Sequence, residues 1–273
     1  MLRQRIVTAA ILAAIVFGSI FFLSSDSFSI VVGVFVLAGA WEWSRLIGLQ
    51  SPAARVIYLF IVAISGLSAT IGFANDEYSV LTVLGLAFLW WAYVSMVIWK
   101  NSDLYATMGR KYLAGLIILV PSWIAPVYLH RQPESGIGVL LYLLILVWLA
   151  DSAAYFIGRK FGTTKLAPKV SPGKTVEGAI GGFVAVGIFS AVAGVSVWKM
   201  ELPALLLFIL IALVTAWFSI VGDLAESKIK RLAGVKDSGQ LLPGHGGVLD
   251  RVDALTAAAP VFTLAWSFFR EVS

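Results

Sequence analysis

Nine apolar stretches, each near the length that crosses a lipid bilayer, constrain this chain more than any other feature. A spanning helix needs about 20 mostly apolar residues. Stretches of that kind cover residues 6–23, 29–48, 54–74, 78–99, 112–130, 136–158, 176–197, 203–223 and 252–270. Composition agrees. Only 13% of the residues are charged and 60% are hydrophobic, whereas a soluble domain carries about 25% charged residues. The expected fold is therefore an all-α polytopic membrane protein of about nine transmembrane helices. The first stretch follows Arg3 and Arg5 but is long for a signal peptide, with no clear small-x-small cleavage site after it. It reads as an uncleaved first span.

The basic residues set the orientation. With nine spans the connections alternate between two sides. Of the 20 Lys and Arg residues, seventeen fall on one side, among them Arg3, Arg5, Arg45, Arg55 and Lys100. Only Arg131, Lys199 and Arg270 fall on the other. Such an excess marks the cytoplasmic side. The N-terminus is thus expected in the cytoplasm and the C-terminus in the periplasm. Two regions are expected: 1–110, an N-terminal transmembrane region of about four spans, and 111–273, a catalytic region of about five. The second carries two long cytoplasmic connections, 159–175 and 224–251. Trp41, Trp43, Trp90 and Trp91 read as interfacial anchors or packing residues.

The chain has no cysteine and two histidines, His130 and His245. Thiolate sites and the usual zinc sites are excluded. Any metal should be a hard cation on carboxylates. Ionisable groups in or beside a span are costly and mark function. Asp151 lies about two turns from the cytoplasmic end of the sixth span and is such a candidate. Glu42 reads instead as a snorkelling side chain or as the partner of Arg45.

The connection after the sixth span carries Lys165, Lys169, Ser171, Lys174, Thr175 and Glu177. Gly173-Lys174-Thr175 suggests a P-loop, but Pro168 stands where that motif needs its first glycine, so a Walker site is rejected. The basic, glycine- and proline-shaped run still suits phosphate, with a helix start at Lys174 and Thr175 adding backbone N–H groups. If the eighth helix continues beyond its apolar stretch, Asp223, Glu226 and Ser227 share one face, and Lys228 and Arg231 another. Then follow Lys236-Asp237, His245 among glycines that include Gly246 and Gly247, and Asp250-Arg251-Val252-Asp253. Glycines there permit the close turns of a phosphate cradle. Carboxylates, Lys/Arg and glycine turns at one membrane surface suit phosphoryl or nucleotidyl transfer with Mg²⁺.

The run Ser227-Lys228-Ile229-Lys230-Arg231, Lys236-Asp237-Ser238-Gly239 and Pro243 through Asp253 resembles the signature of phosphatidate cytidylyltransferases (CDP-diacylglycerol synthases). That signature holds a serine, Lys-Arg, Lys-Asp, His-Gly-Gly and Asp-Arg-x-Asp in this order and spacing, and there is no departure from it. Residues 151–178 resemble the second conserved region of that family. The resemblance implies the reaction CTP + phosphatidate → CDP-diacylglycerol + pyrophosphate, in a multi-pass enzyme of the bacterial inner membrane, dimeric, its site facing the cytoplasm. It implies Mg²⁺, with room for a second, monovalent cation. Asp223 and Asp250 are the expected metal ligands, with Asp151, Glu226 and Asp253 as further candidates. Lys174, Lys228, Arg231, Lys236 and Arg251 are expected on the triphosphate and the lipid phosphate. His245 either bonds phosphate or holds the glycine turn. Lys165, Lys169, Ser171, Thr175, Glu177, Ser227, Asp237, Gly246 and Gly247 are expected around the substrates. The expected partners are CTP, phosphatidate, membrane lipids and a second copy of the chain, with no nucleic acid. Two other readings stay open: a CTP-dependent lipid-alcohol kinase and, in a different class, a secondary transporter. The Asp-Gly-x-x-Ala-Arg run of CDP-alcohol phosphotransferases is not found in the sequence.

Overall fold

A computed structural model describes residues 2–72, 76–99, 104–133 and 135–272. Lys100 and the end of the expected third span, 73–74, lie outside these residues. Among the described residues, nine helices are long and apolar enough to cross a membrane. They begin with α1 (Leu2–Phe22), α2 (Ser25–Leu46), α3 (Pro52–Gly72), α4 (Glu77–Val97), α5 (Met108–Arg131) and α6 (Gly136–Phe161). A hairpin of β1 (Lys165–Ala167) and β2 (Ser171–Thr175) follows, then α7 (Val176–Ser196), α8 (Leu202–Leu232) and α9 (Leu249–Val272). Helices dominate because lipid offers no partner to an open backbone N–H or C=O.

Several helices start where the sequence places a short polar side chain. Ser24, Asp76, Thr107 and Thr175 each accept a hydrogen bond from the backbone N–H three residues on. Such a cap satisfies one of the four open donors of a helix start.

The all-α expectation holds for the spans, and the connection after α6 adds a short hairpin that pairs antiparallel, with Lys165 opposite Thr175 and Ala167 opposite Ser171. One expectation needs correction: the long connection expected at 224–251 is shorter. α8 runs on to Leu232 and α9 begins at Leu249. The extra turns of α8 are held by Lys230, whose Nζ lies 2.7 Å from Glu226 Oε2 one turn earlier. A buried ion pair at i, i+4 keeps the helix going after its apolar run has ended.

α5 and α9 are the most enclosed spans and α1 the least. α6 packs most extensively on α7, and α8 on α9. Trp43 and Trp91 are completely enclosed, and the Trp43 indole N–H donates to the Lys111 carbonyl at 3.1 Å. These two are packing residues rather than interfacial anchors.

Small residues let α6 and α7 approach closely. A Cβ placed on Gly178 would come within 2.7 Å of the Ala154 carbonyl oxygen, and one on Gly182 within 3.0 Å of the Ala150 carbonyl oxygen. Packing of this kind drives association where lipid is as apolar as the helix partner. A Gly182→Leu variant is expected to lose about 1–3 kcal/mol of stability through overpacking. Its thermal unfolding in detergent, compared with a Gly187→Leu control, checks this, because Gly187 has open space or ordinary contact around it.

Candidate active site

The ends of α6 and α8, the starts of α7 and α9, and the hairpin enclose one cavity of about 760 Å³. α6 contributes Asp151 and Arg159, the hairpin Lys165, Ser171 and Lys174, α8 Asp223, and α9 Asp250 and Asp253. Four carboxyl groups from three helices thus line the same cavity. Thr175 closes the hairpin end, capping α7 through a hydrogen bond from Gly178 N at 3.1 Å. Glu177 clips the hairpin base to α7. It accepts from Thr163 Oγ1 at 2.6 Å and from Thr164 N at 3.0 Å.

Each of two of these carboxylates meets an ammonium. Lys174 Nζ lies 2.5 Å from Asp223 Oδ2, and Ser227 Oγ donates to Asp223 Oδ1 at 3.2 Å. Lys230 Nζ lies 2.7 Å from Asp250 Oδ1 as well as from Glu226. The three side chains of that bridge are only 6–10% exposed. Glu226 stands behind the wall and does not line the cavity. Asp250 Oδ2 accepts three further bonds, from Ser238 N at 2.9 Å, Ser238 Oγ at 3.1 Å and Gly247 N at 2.9 Å. Its orientation is therefore fixed on both oxygens. Asp253 Oδ1 accepts from Ala254 N at 2.8 Å, and Asp151 has no hydrogen bond or ion pair among the described residues.

The turn that presents Asp250 rests on Glu42. Glu42 is 0% exposed. It accepts from Ser238 Oγ at 2.8 Å, Val248 N at 3.0 Å and Leu249 N at 2.9 Å. A carboxylate on the free N–H groups of a helix start is favoured by hydrogen bonding and by the helix dipole together. Gly247 is required beneath it, since a Cβ there would meet the Glu42 oxygens and Ser238 Oγ. Gly246 has φ +85°, a value that favours glycine. The expectation that Glu42 snorkels or pairs with Arg45 is thus corrected. Its partners lie about 200 residues away in sequence, so local spacing gave no signal.

The other expected site residues divide. Lys169, Arg231, Lys236 and Asp237 are exposed and do not line the cavity, nor does Lys228. Arg231 Nη1 donates to the Val235 carbonyl at 3.0 Å, closing the end of α8. His245 and Arg251 face the opposite side of α9, toward a separate apolar chamber. His245 holds the glycine turn through its backbone, its N–H donating to Leu242 O at 2.9 Å and its carbonyl accepting from Arg251 Nε at 3.1 Å. Lys230, which no site reading included, is the cation that ties α8 to α9. Its i, i+4 spacing from Glu226 was the available sign.

The donor set suits a hard divalent cation, because four carboxyl groups lining one cavity outnumber the ammonium groups that reach them. No cluster of three or more His, Cys, Asp or Glu side chains is gathered as a ready metal cage among the described residues.

Removing one partner of a buried charge network leaves the others uncompensated. Lys230→Met is therefore expected to cost about 3–5 kcal/mol. Glu42→Ala is expected to cost about 3 kcal/mol or more by stranding two buried amides and a hydroxyl at about 1–3 kcal/mol each, while Glu42→Gln, which keeps an acceptor, falls between that variant and the unaltered chain. Unfolding midpoints of the three variants test this order.

The cytidylyltransferase family matches the chain over residues 3–269. The chain is 43% identical over 271 residues to a phosphatidate cytidylyltransferase of Pseudomonas aeruginosa, covering 98% of each. It is 35% identical over 295 residues to one of Haemophilus influenzae, covering 98% of this chain and 99% of that one. It is 31% identical over 278 residues to one of Thermotoga maritima, covering 99% and 98%. Matches that run from the first helix to the last, with the acidic cavity wall inside them, place the chain in the cytidylyltransferase family.

Proposed function

We propose that the chain is a phosphatidate cytidylyltransferase, joining CTP and phosphatidate into CDP-diacylglycerol and releasing pyrophosphate. The observation that carries this reading is the cavity at the end of the lipid-embedded bundle that Asp223, Asp250 and Asp253 line together with Lys174, whose ammonium pairs with Asp223. A phosphate oxygen of phosphatidate attacks the α-phosphorus of CTP. The bond from that phosphorus to the bridging oxygen breaks, and the electron pair leaves with pyrophosphate. The nucleophile is already an anion, so no general base is needed, and the protein's task is to hold two repelling anions in line.

The residues divide this task by position. Lys174, on the hairpin, and Lys165 and Arg159 beside it offer cations to phosphate oxygens on the open side of the cavity. Ser171 and Thr175 border the same space. Asp223 and Asp250 are the carboxylates that we assign to Mg²⁺, with Asp253 and Asp151 lining the same cavity. Bound there, the metal would neutralise phosphate oxygens as charge moves to the leaving group. Lys230 keeps Asp250 aimed at the cavity, and Ser227 does the same for Asp223.

The 17-to-3 division of basic residues supports an orientation with the N-terminus, the hairpin and the 233–248 connection in the cytoplasm and the C-terminus in the periplasm. The hairpin lies between the C-terminal end of α6 and the N-terminal end of α7, and the second connection joins α8 to α9. The cavity bordered by these ends is then reached by CTP from the cytoplasm of a bacterium and by phosphatidate from the inner leaflet of its inner membrane.

The direct test uses CTP labelled at the α-phosphorus with phosphatidate and Mg²⁺ in detergent micelles. Label is expected to move into lipid, with pyrophosphate released and the transfer lost on chelation. Label found in lipid only when it starts on the γ-phosphorus would mean a lipid kinase instead. Asp223→Asn is expected to lower kcat by at least about 100-fold, the scale seen when one group that stabilises developing charge is removed. Lys174→Ala is expected to raise the KM for CTP as well as to lower kcat, because it removes a phosphate contact made before and during transfer. Asp223→Asn retaining near-normal kcat would remove that residue from the site.

A further inference from the structure

α1 is pinned at its two ends and stands off the bundle between them. At the basic-rich end, Arg5 Nε donates to the Gly244 carbonyl and Thr8 Oγ1 to the Pro243 carbonyl, both at 3.0 Å. At the other end Ser19 and Ile20 are buried, and the Ile20 carbonyl lies 3.0 Å from His130 Nε2. Among the described residues α1 packs chiefly on α2, with Phe17 set edge-on to Trp148 of α6. Beneath the middle of α1 lies a chamber of about 450 Å³, walled by α1, α2, α5, α6 and α9. α9 separates it from the catalytic cavity: Asp250 and Asp253 face the cavity, while Arg251, Val252 and Leu255 face the chamber.

The chamber has one polar end. Arg251 is the single Lys, Arg, Asp or Glu in its lining. Arg251 Nε is bonded to the His245 carbonyl, and its two terminal nitrogens have no partner among the described residues. His245 borders the same end, and its Nδ1 is buried without a hydrogen-bond partner. The hydroxyls of Ser19, Ser122 and Thr256, which also line the chamber, are already spent on helix carbonyls. A largely apolar chamber whose one charged side chain sits at one end matches an amphiphile. Length agrees: the lining runs along α1 from Ala9 to Ile20, eleven steps or about 16 Å of helix, against about 15 Å for one leaflet of a roughly 30 Å hydrocarbon core.

We propose that this chamber holds an acyl chain of a diacyl phospholipid from the cytoplasmic leaflet, with its phosphodiester on Arg251 and His245. One permanent cation at the mouth matches the single negative charge of a phosphodiester. A guanidinium also suits phosphate better than an ammonium does, through paired donors in one plane. The site is distinct from the reaction cavity and does not depend on the reaction assigned to it. It gives the enzyme a lipid seated one helix face away from Asp250.

The experiment uses the full chain, delipidated in mild detergent and reloaded with phosphatidylglycerol, phosphatidylcholine or phosphatidate of identical acyl chains, then examined by native mass spectrometry. One phosphatidylglycerol per chain is expected to survive activation that strips phosphatidylcholine. Arg251→Gln should weaken its retention by about tenfold, as loss of a charge-assisted contact does. Leu12→Trp with Val16→Trp should fill the chamber and abolish retention, while Ile11→Trp, on the exposed face of α1, should leave it intact. Equal retention of phosphatidylcholine, retention of phosphatidate alone, or undiminished binding in the filled variant would overturn the proposal. Should the filled variant not fold, Arg251→Gln against Ile11→Trp still decides it. Cytidylyl transfer by the same samples, read separately, shows whether the assigned reaction stands whatever the lipid result.

Discussion

The first turn of α9 has its open amides answered by a carboxylate from α2. Glu42 is completely enclosed, and every one of its described partners belongs to the 238–249 segment. A carboxyl group at that depth is tolerable because three donors and a helix dipole meet it. Asp250 then follows from this anchor. Ser238, which bonds Glu42, also donates to Asp250, and Gly247 adds a second amide. The direction of one site carboxylate is thus set by a residue from the second span.

The cavity wall shows the same economy of charge. Acids cluster in the cavity that we assign to the substrate phosphates, an arrangement that is unfavourable without cations. The structure answers with Lys174 from the hairpin and Lys230 from within α8. The two ammonium groups differ in surroundings. Lys230 is enclosed among its partners and is part of the scaffold. Lys174 is more accessible and sits at the cavity, where a substrate phosphate can compete for it. Bonds within the low-dielectric surroundings of the bundle are stronger than in water, and unmet groups are correspondingly costly.

Much of this was readable in the sequence, and the losses have physical reasons. Apolar runs of bilayer length located all nine helices, because lipid forces each span to satisfy its own backbone. Their polar ends were misjudged: Glu226 and Lys230 look like loop residues until their mutual pairing keeps α8 wound. The hairpin was invisible, since three- and five-residue strands containing Pro172 and Lys174 leave no alternating pattern. Asp223, Asp250 and Asp253 were found as acids one helical turn apart or at span ends. Glu42 was misread because its meaning lies in tertiary contact. Asp250 and Arg251 are neighbours in the signature, yet successive helical residues point about 100° apart, and this sends them into different spaces.

The hairpin has a mechanical consequence. Its strands pair with each other, its base is clasped by Glu177, and Thr175 is both its last residue and the cap of α7. Such a unit has no slack of its own. The backbone that carries Lys174 is thereby tied to the start of α7. α7 is in turn seated on α6 through Gly178 and Gly182, where backbone nearly touches backbone. The place of the hairpin backbone beside the cavity is therefore set by how closely α6 and α7 mesh at Gly178 and Gly182.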